Sequence, residues 1–366
     1  MDKNQNVKAR LSVRAKLIII VSIIVVISLG SITALVSWMV SEDVKIASEE
    51  NNFEVNRRAA EEAEDLLSNM HAVSVQLMYT INVLNTQQAS AQQAAAQQAA
   101  AQQAAQQAAA DFFFDQNPRA VAFAYSLKDT YNVLINKDYF QSLNIDQSLA
   151  KTYFDNNEIS LSRAARGKTA LLNAAPVFKR PVLALFFPYQ AVAQQTAAQQ
   201  AAAQQTAGGQ NSAVCVLIAS EKLLDSFGFG TNQSFLINDK CDLLLHSDSA
   251  LLLNGKNVAG FDFIREIQQA PEPNKQQLMK NVFFNFEVPF EPNSSKKSSA
   301  QQYYTAFTKL SWGGCIVITG IDRDKVLEGV TATTRRNICL TAAVLCISVL
   351  FIWFFSKTIT KQAEKK

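Results

Sequence analysis

Histidine, the side chain best suited to moving protons near neutrality, occurs only twice, as His71 and His246. His71 lies in a run of helix formers with no evident partner, while His246 stands between Cys241 and Asp248. Cys241, His246 and Asp248 suggest a metal site, but structural zinc takes four ligands from paired clusters, and the other cysteines are not spaced to complete one. No metal is expected. The chain also lacks a glycine-rich phosphate loop and a nucleophile elbow, so neither an enzyme nor a cofactor is expected. What remains is recognition chemistry. Arg163, Arg166, Lys168 and Arg180 could pair with a carboxylate or phosphate, and Tyr125, Tyr131 and Tyr189 could supply ring faces and hydroxyls. Each has a plainer account: the cations at 163–168 suit a solvated helix end, and tyrosines on strands often serve as core or rim.

The elements that must position these groups begin with two apolar segments. Residues 17–40 carry no charge and are long enough, at about 1.5 Å per residue, to cross a hydrocarbon core of about 30 Å. Lys3, Lys8, Arg10, Arg14 and Lys16 precede this run and Glu42 and Asp43 follow it, which places the N-terminus in the cytoplasm and the following segment outside. Trp38 suits an interfacial anchor. A second run, 338–355, is flanked by Arg335 and Arg336 and by Lys357 and Lys361, and returns the chain to the cytoplasm. The expected order is a cytoplasmic tail (1–16), a first span (17–40), an exported middle (42–336), a second span (337–355) and a cytoplasmic end (356–366).

Composition agrees with a chain of several parts. With 48% apolar and 18% charged residues in 366, there is more material than one compact domain needs. Net charge is only +3, and the basic residues gather beside the apolar runs rather than among aromatics, so nucleic acid is not an expected partner. Five cysteines make no disulfide framework, although a bridge from Cys215 to Cys241 or Cys315 stays open.

Residues 42–86 hold no proline or glycine and predict a helical stalk. Ala63, Leu66, Met70, Val73, Leu77, Thr80 and Leu84 recur at alternating steps of three and four, a stripe that wants either the chain's own globular part or a second subunit. Two Ala/Gln tracts, 86–110 and 191–207, lack large apolar residues and are expected as exposed insertions, the second as an elongated hairpin loop. Strand-like runs follow at 120–125, 130–135, 171–178, 182–187 and 213–219, and again at 234–237, 242–246, 282–288, 303–308 and 315–319, with a helix-like segment, 220–227, between the series. The fold class is therefore α+β: a long N-terminal helix and two small antiparallel sheets in tandem, flanked by two membrane helices.

Three stretches carry a resemblance. RAARGKTALLNAAPVFKRPVLALFFPY (163–189), FLINDKCDLLLHSD (235–248) and WGGCIVITGIDRDKVL (312–327) resemble the double Cache sensors, tandem PAS-like modules found outside the membrane in bacterial chemoreceptors, sensor kinases and cyclases. Two positions depart from the pattern: Cys241 stands where the hairpin usually has glycine, and Ser247 where proline is common. The resemblance implies a membrane-distal module (112–228), a membrane-proximal one (229–336), a small-molecule ligand in the distal module, a homodimer and residence in the bacterial cytoplasmic membrane. It implies no amino acid, because the Tyr, Arg, Trp and Asp set of that subgroup finds no match. Tyr125, Tyr131, Arg163, Arg166, Arg180 and Tyr189 are the expected ligand contacts. SKTITKQAEKK (356–366) begins like the coupling module called HAMP, with Gln362 where its first helix usually starts on proline, so a chemotaxis, cyclase or kinase output is expected beyond it. A surface protein whose exported modules bind another protein is the alternative.

Overall fold

A computed structural model describes residues 13–89, 95–127, 130–189, 212–228, 232–269, 273, 275–284 and 301–363. The chain divides into two units, Met1–Glu50 with Arg323–Lys366, and Asn51–Asp322.

The first unit contains the start of α1 (Val13–Ala89) and α10 (Arg323–Ala363). Both helices are long and apolar enough to cross a membrane, and their most apolar windows are not buried by protein. Large side chains such as Ile20, Ile27, Leu350 and Phe354 are exposed, as expected of surfaces whose solvent is lipid. Where the helices face each other the residues are small and hydroxylated. Thr33 shares a hydrogen bond with Thr341 at 2.9 Å and Ser37 with Thr334 at 2.7 Å. Such bonds suit an apolar surrounding that offers hydroxyls few other partners.

The second unit holds two five-stranded antiparallel sheets. The first contains β1 (Ala120–Leu127), β2 (Thr130–Ile135), β3 (Ala170–Asn173), β4 (Val182–Tyr189) and β5 (Ser212–Ala219), in the order β2-β1-β5-β4-β3. The second contains β6 (Asn232–Ile237), β7 (Leu243–His246), β8 (Gln276–Phe284), β9 (Gln301–Lys309) and β10 (Ile316–Asp322), in the order β7-β6-β10-β9-β8. These are one topology used twice, so the tandem modules expected from sequence are present. Parity fixes which side chains go where, since alternate residues of a strand face opposite sides. Leu183, Leu185 and Phe187 join the cluster that contains the apolar stripe of α1, while Val182, Ala184 and Phe186 join the one beneath the short helices of the first sheet. With both faces covered, strands such as VLALFF read as continuous apolar runs rather than alternating ones.

The covering helices of the first sheet are α3 (Lys137–Ser142), α4 (Ser148–Asn156), α5 (Glu158–Ala165) and α6 (Ala175–Phe178). Helix α7 (Glu221–Phe227) links the two sheets in the chain, and α8 (Ser249–Leu253) and α9 (Asp262–Gln268) cover the second. Helix α2 (Ala95–Gln116) contains much of the first Ala/Gln tract and joins the core through Ala110, Phe113 and Phe114. Two of those three lie just beyond the tract, which is why the tract read alone predicts no docking. Of the stalk stripe, Ala63, Leu66, Met70 and Leu77 are buried within this chain's own core, whereas Thr80 is exposed.

Other expectations need correction. The strand expected over 171–178 ends at Asn173, whose side chain accepts from the Ala175 amide at 2.9 Å, and Pro176 then opens a helical turn. The strand expected at 282–288 starts earlier, at Gln276, because its polar first half pairs with β9 at the sheet edge; residues 285–288 lie outside the described residues. The 191–209 loop also lies outside them. Cys215, Cys241 and Cys315 are free thiols. Cys241 does adopt the positive φ, 65°, that its place in a glycine position predicts. Its turn is held by the Asn238 side chain, which accepts from the Lys240 and Asp242 amides at 3.0 and 2.9 Å.

Candidate functional site

The ligand is expected in the first module, in a cavity between its sheet and a covering loop; the face of the first sheet turned away from α1 is covered by short helices. Small residues, Ala122, Ala124, Ala184 and Cys215, form its floor. The space above them is filled by Phe140, Tyr153, Phe154, Phe178 and Phe186, all buried. Rings of α3, α4 and α6 meet edge-on or tilted, Phe140 to Phe178 at 6.3 Å and Tyr153 to Phe178 at 5.9 Å between centroids. Burial pushes the Tyr153 hydroxyl and the Cys215 thiol well above their ordinary ranges, as expected where water does not enter. The rim is polar: burial pushes the Tyr139 hydroxyl up, Glu221 adds to the rise and Arg180 opposes it.

The six expected contacts do not converge. Tyr131 is half-buried against this covered face, and Arg180 belongs to its rim. Tyr125 and Tyr189 are buried on the opposite face, in the cluster shared with α1, because each keeps strand parity with a core phenylalanine, Phe123 or Phe187. The Tyr125 hydroxyl reaches the Gln106 side chain at 3.4 Å. Arg163 and Arg166 remain neighbours at the end of α5, exposed to solvent.

Two open cavities flank the turn between α2 and β1. One, about 510 Å³, is lined by Asp111, Asp115, Asn136, Lys137, Asp138 and Tyr139 among others. Its neighbour, about 550 Å³, lies between α1, the same turn and α7, with Glu62 and Asp65 on one side and Arg119 and Lys222 on the other. Glu62 is held below the usual carboxylate range: burial opposes this, but bonds from Ser226 and Arg58 outweigh it. None of the six expected residues lines either cavity.

His246 and Asp248 serve the backbone. His246 Nδ1 accepts from the Asp248 amide at 2.8 Å, and Asp248 Oδ1 caps α8 by accepting from the Ala250 amide at 2.9 Å. Burial pushes the His246 imidazole down to about 4. Among the described residues no three His, Cys, Asp or Glu side chains form a metal-holding group.

No family model and no curated protein matches the chain. Solved structures do. The sensory domain of the Campylobacter jejuni chemoreceptor Tlp3 with isoleucine bound is 13% identical, covering 78% of this chain and 97% of its own, with a TM-score of 0.43. The ligand-binding domain of the Pseudomonas fluorescens chemoreceptor CtaA in complex with L-isoleucine is 11% identical over 78% and 97%, with a TM-score of 0.44. That of the Pseudomonas aeruginosa amino acid chemoreceptor PctC in complex with GABA is 16% identical over 75% and 100%, with a TM-score of 0.36. These neighbours are sensory domains of bacterial chemoreceptors.

Sequence reasoning missed Tyr139 and Glu221 at the rim, and Asn52 and Asn56 on α1. The last pair had a signal: two asparagines one helical turn apart in a segment otherwise rich in helix formers.

Proposed function

We propose that this chain is a membrane-anchored sensor whose exported unit responds to a small molecule and whose two apolar helices carry the response across the bacterial cytoplasmic membrane. One observation carries this reading: both apolar helices join the sheet-bearing unit without a linker. Helix α1 runs unbroken from the apolar segment to the stripe that packs on the sheets, and α10 begins at the residue after β10. A displacement of either sheet then reaches a span through helical backbone rather than through a flexible loop.

In this reading the termini are cytoplasmic, residues 112–228 form the ligand-binding module, residues 229–336 form the module next to the membrane, and two copies act as a dimer. Tyr131 and Arg180, at the covered face and its rim, are the retained ligand contacts. The ligand acts only through unequal affinity for two conformations. Thermal melting of the chain in lipid nanodiscs across a metabolite library tests this. Stabilisation by one compound class, growing with concentration, is expected, and no stabilisation by any compound would remove direct small-molecule sensing.

A second reading has its own support. The covered face of the first sheet is already packed with five of its own rings, as befits exported modules that bind another protein through their surface. Co-purification with a defined partner, together with no response to metabolites, is its signature.

A further inference from the structure

Helix α1 meets the second sheet through two buried asparagine amides, and their bonds are spaced like the divisions of a ruler. Asn52 and Asn56 lie on one face of the helix, and neither is accessible to solvent. Asn52 Nδ2 donates to the Tyr304 carbonyl of β9 at 3.0 Å and the Thr319 carbonyl of β10 at 3.1 Å. One turn along, Asn56 Nδ2 donates to the Ala306 carbonyl of β9 and the Val317 carbonyl of β10, both at 3.2 Å, and to Thr319 Oγ1 at 3.2 Å. Asn56 Oδ1 accepts from Thr308 Oγ1 at 2.7 Å and from Gln276 Nε2 at 3.1 Å.

Each step from Asn52 to Asn56 is matched by a step of two residues on each strand, from 304 to 306 on β9 and from 319 to 317 on β10. Four residues of helix advance about 6 Å, and two residues of strand about 6.8 Å, so one turn of helix spans one strand repeat. A shift of one residue, about 1.5 Å with a rotation of about 100°, would turn both amides away from their carbonyls where no water can replace the partners. A slide of a full turn brings either Ser48 or Ala60 into a slot now held by an amide, leaving that slot without one.

We propose that Asn52 and Asn56 are positioning residues that fix the axial register of α1 on the second sheet, so that helix and sheet move together. Leu67, Met70, Met78 and Ile81 of the same helix share an apolar cluster with Leu185 and Val216 of the first sheet and Leu236 and Val317 of the second, and such contacts have no direction to lose. The amide bonds are what the second sheet adds to this shared apolar contact, so displacement along α1 is expected at the first sheet rather than at the second. The proposal concerns register alone, so it can fail independently of the search for a ligand.

The test is a disulfide register scan on the full chain in nanodiscs, with the membrane-facing Cys339 and Cys346 replaced by serine. The Ser311 amide donates to Glu64 Oε2 at 3.2 Å, so Ser311→Cys is paired in turn with Glu61→Cys, Glu64→Cys and Ser68→Cys. With both asparagines present, oxidation at position 64 is expected to be about tenfold faster than at 61 or 68, since a disulfide tolerates little error in separation. In Asn52→Leu/Asn56→Leu that preference is expected to fall to about threefold or less. Adding Thr308→Val removes the hydroxyl that would be left without an acceptor, so the triple variant should melt cooperatively and still lack the preference. Retention of the tenfold preference in the triple variant would overturn the proposal. So would a triple variant without a cooperative melt, because the amides would then hold the fold rather than its register.

Discussion

The two sheets share a strand order and lean on one helix, yet they meet that helix by different chemistry. Against the first sheet α1 presents leucine, methionine and isoleucine to phenylalanine and valine; the second sheet shares that apolar cluster through Leu236 and Val317, and there α1 adds amides aimed at backbone carbonyls and threonine hydroxyls. Their outer faces are alike in kind: Phe140, Tyr153, Phe154, Phe178 and Phe186 are buried beneath the covering helices of the first sheet, and Phe235, Phe263, Tyr303 and Phe307 beneath those of the second. Apolar contact is strong but adaptable, whereas hydrogen bonding is weaker in sum and exact about position. A repeated topology can thus divide the labour: one copy is free to change shape and the other keeps its place.

The largest expected effect tests the packed face. Phe154 is fully buried under the first sheet's helices, and Phe154→Ala should cost about 3–5 kcal/mol in chemical denaturation. A much smaller loss would mean that the face collapses easily, and would favour a ligand-accessible cavity there. Next, Asn56→Ala leaves the Thr308 hydroxyl without its acceptor in a dry site and should cost about 2–3 kcal/mol. A cost near zero would erase the contrast between the sheets.

The third test uses pH. His246 of β7 is pushed down to about 4 from an ordinary 6.5, so below 6.5 the unfolded chain takes up a proton that the folded chain refuses. Stability should be intact above pH 6.5 and fall by about 3 kcal/mol as pH drops towards 4, and His246→Gln should flatten that part of the profile. An unchanged profile in the variant would assign the acid sensitivity to other groups.

A smaller effect has the opposite sign. Ser74 of α1 is fully buried, with no hydrogen-bond partner for its hydroxyl among the described residues, in the stretch of the helix that packs on apolar residues. Ser74→Ala should stabilise the chain by about 1 kcal/mol, whereas the same truncation at Asn56 destabilises it. Smallest of all, Ser37→Ala removes the bond to Thr334 and should weaken pairing of the apolar helices by about 0.6 kcal/mol, measured by steric trapping or thermal unfolding in nanodiscs.

Much of the architecture was legible because its signals are local. Residues 17–40 and 338–355 declare themselves by length and lack of charge, and the runs around Leu185 and Val216 by continuous apolar strand formers. Cys241 was legible as a strained turn from its place alone. Helices α3, α4, α8 and α9 were not, since pieces of five to nine residues hold few turns of periodicity and take their stability from packing. The candidate site was least legible. Tyr125, Tyr131 and Tyr189 look alike in sequence, but parity sends Tyr125 and Tyr189 under α1 and leaves Tyr131 on the other face.

By itself the sequence determined the apolar segments, the helical stalk and the repetition of strands, because hydrophobic length and period act over a few residues at a time. Tertiary structure decided which face of each sheet meets α1, that five rings close the first sheet's outer face, and that Asn56 finds the Ala306 carbonyl 250 positions away. Those outcomes depend on partners brought together only when the chain folds, and no local pattern around Asn56 encodes which carbonyls will be waiting.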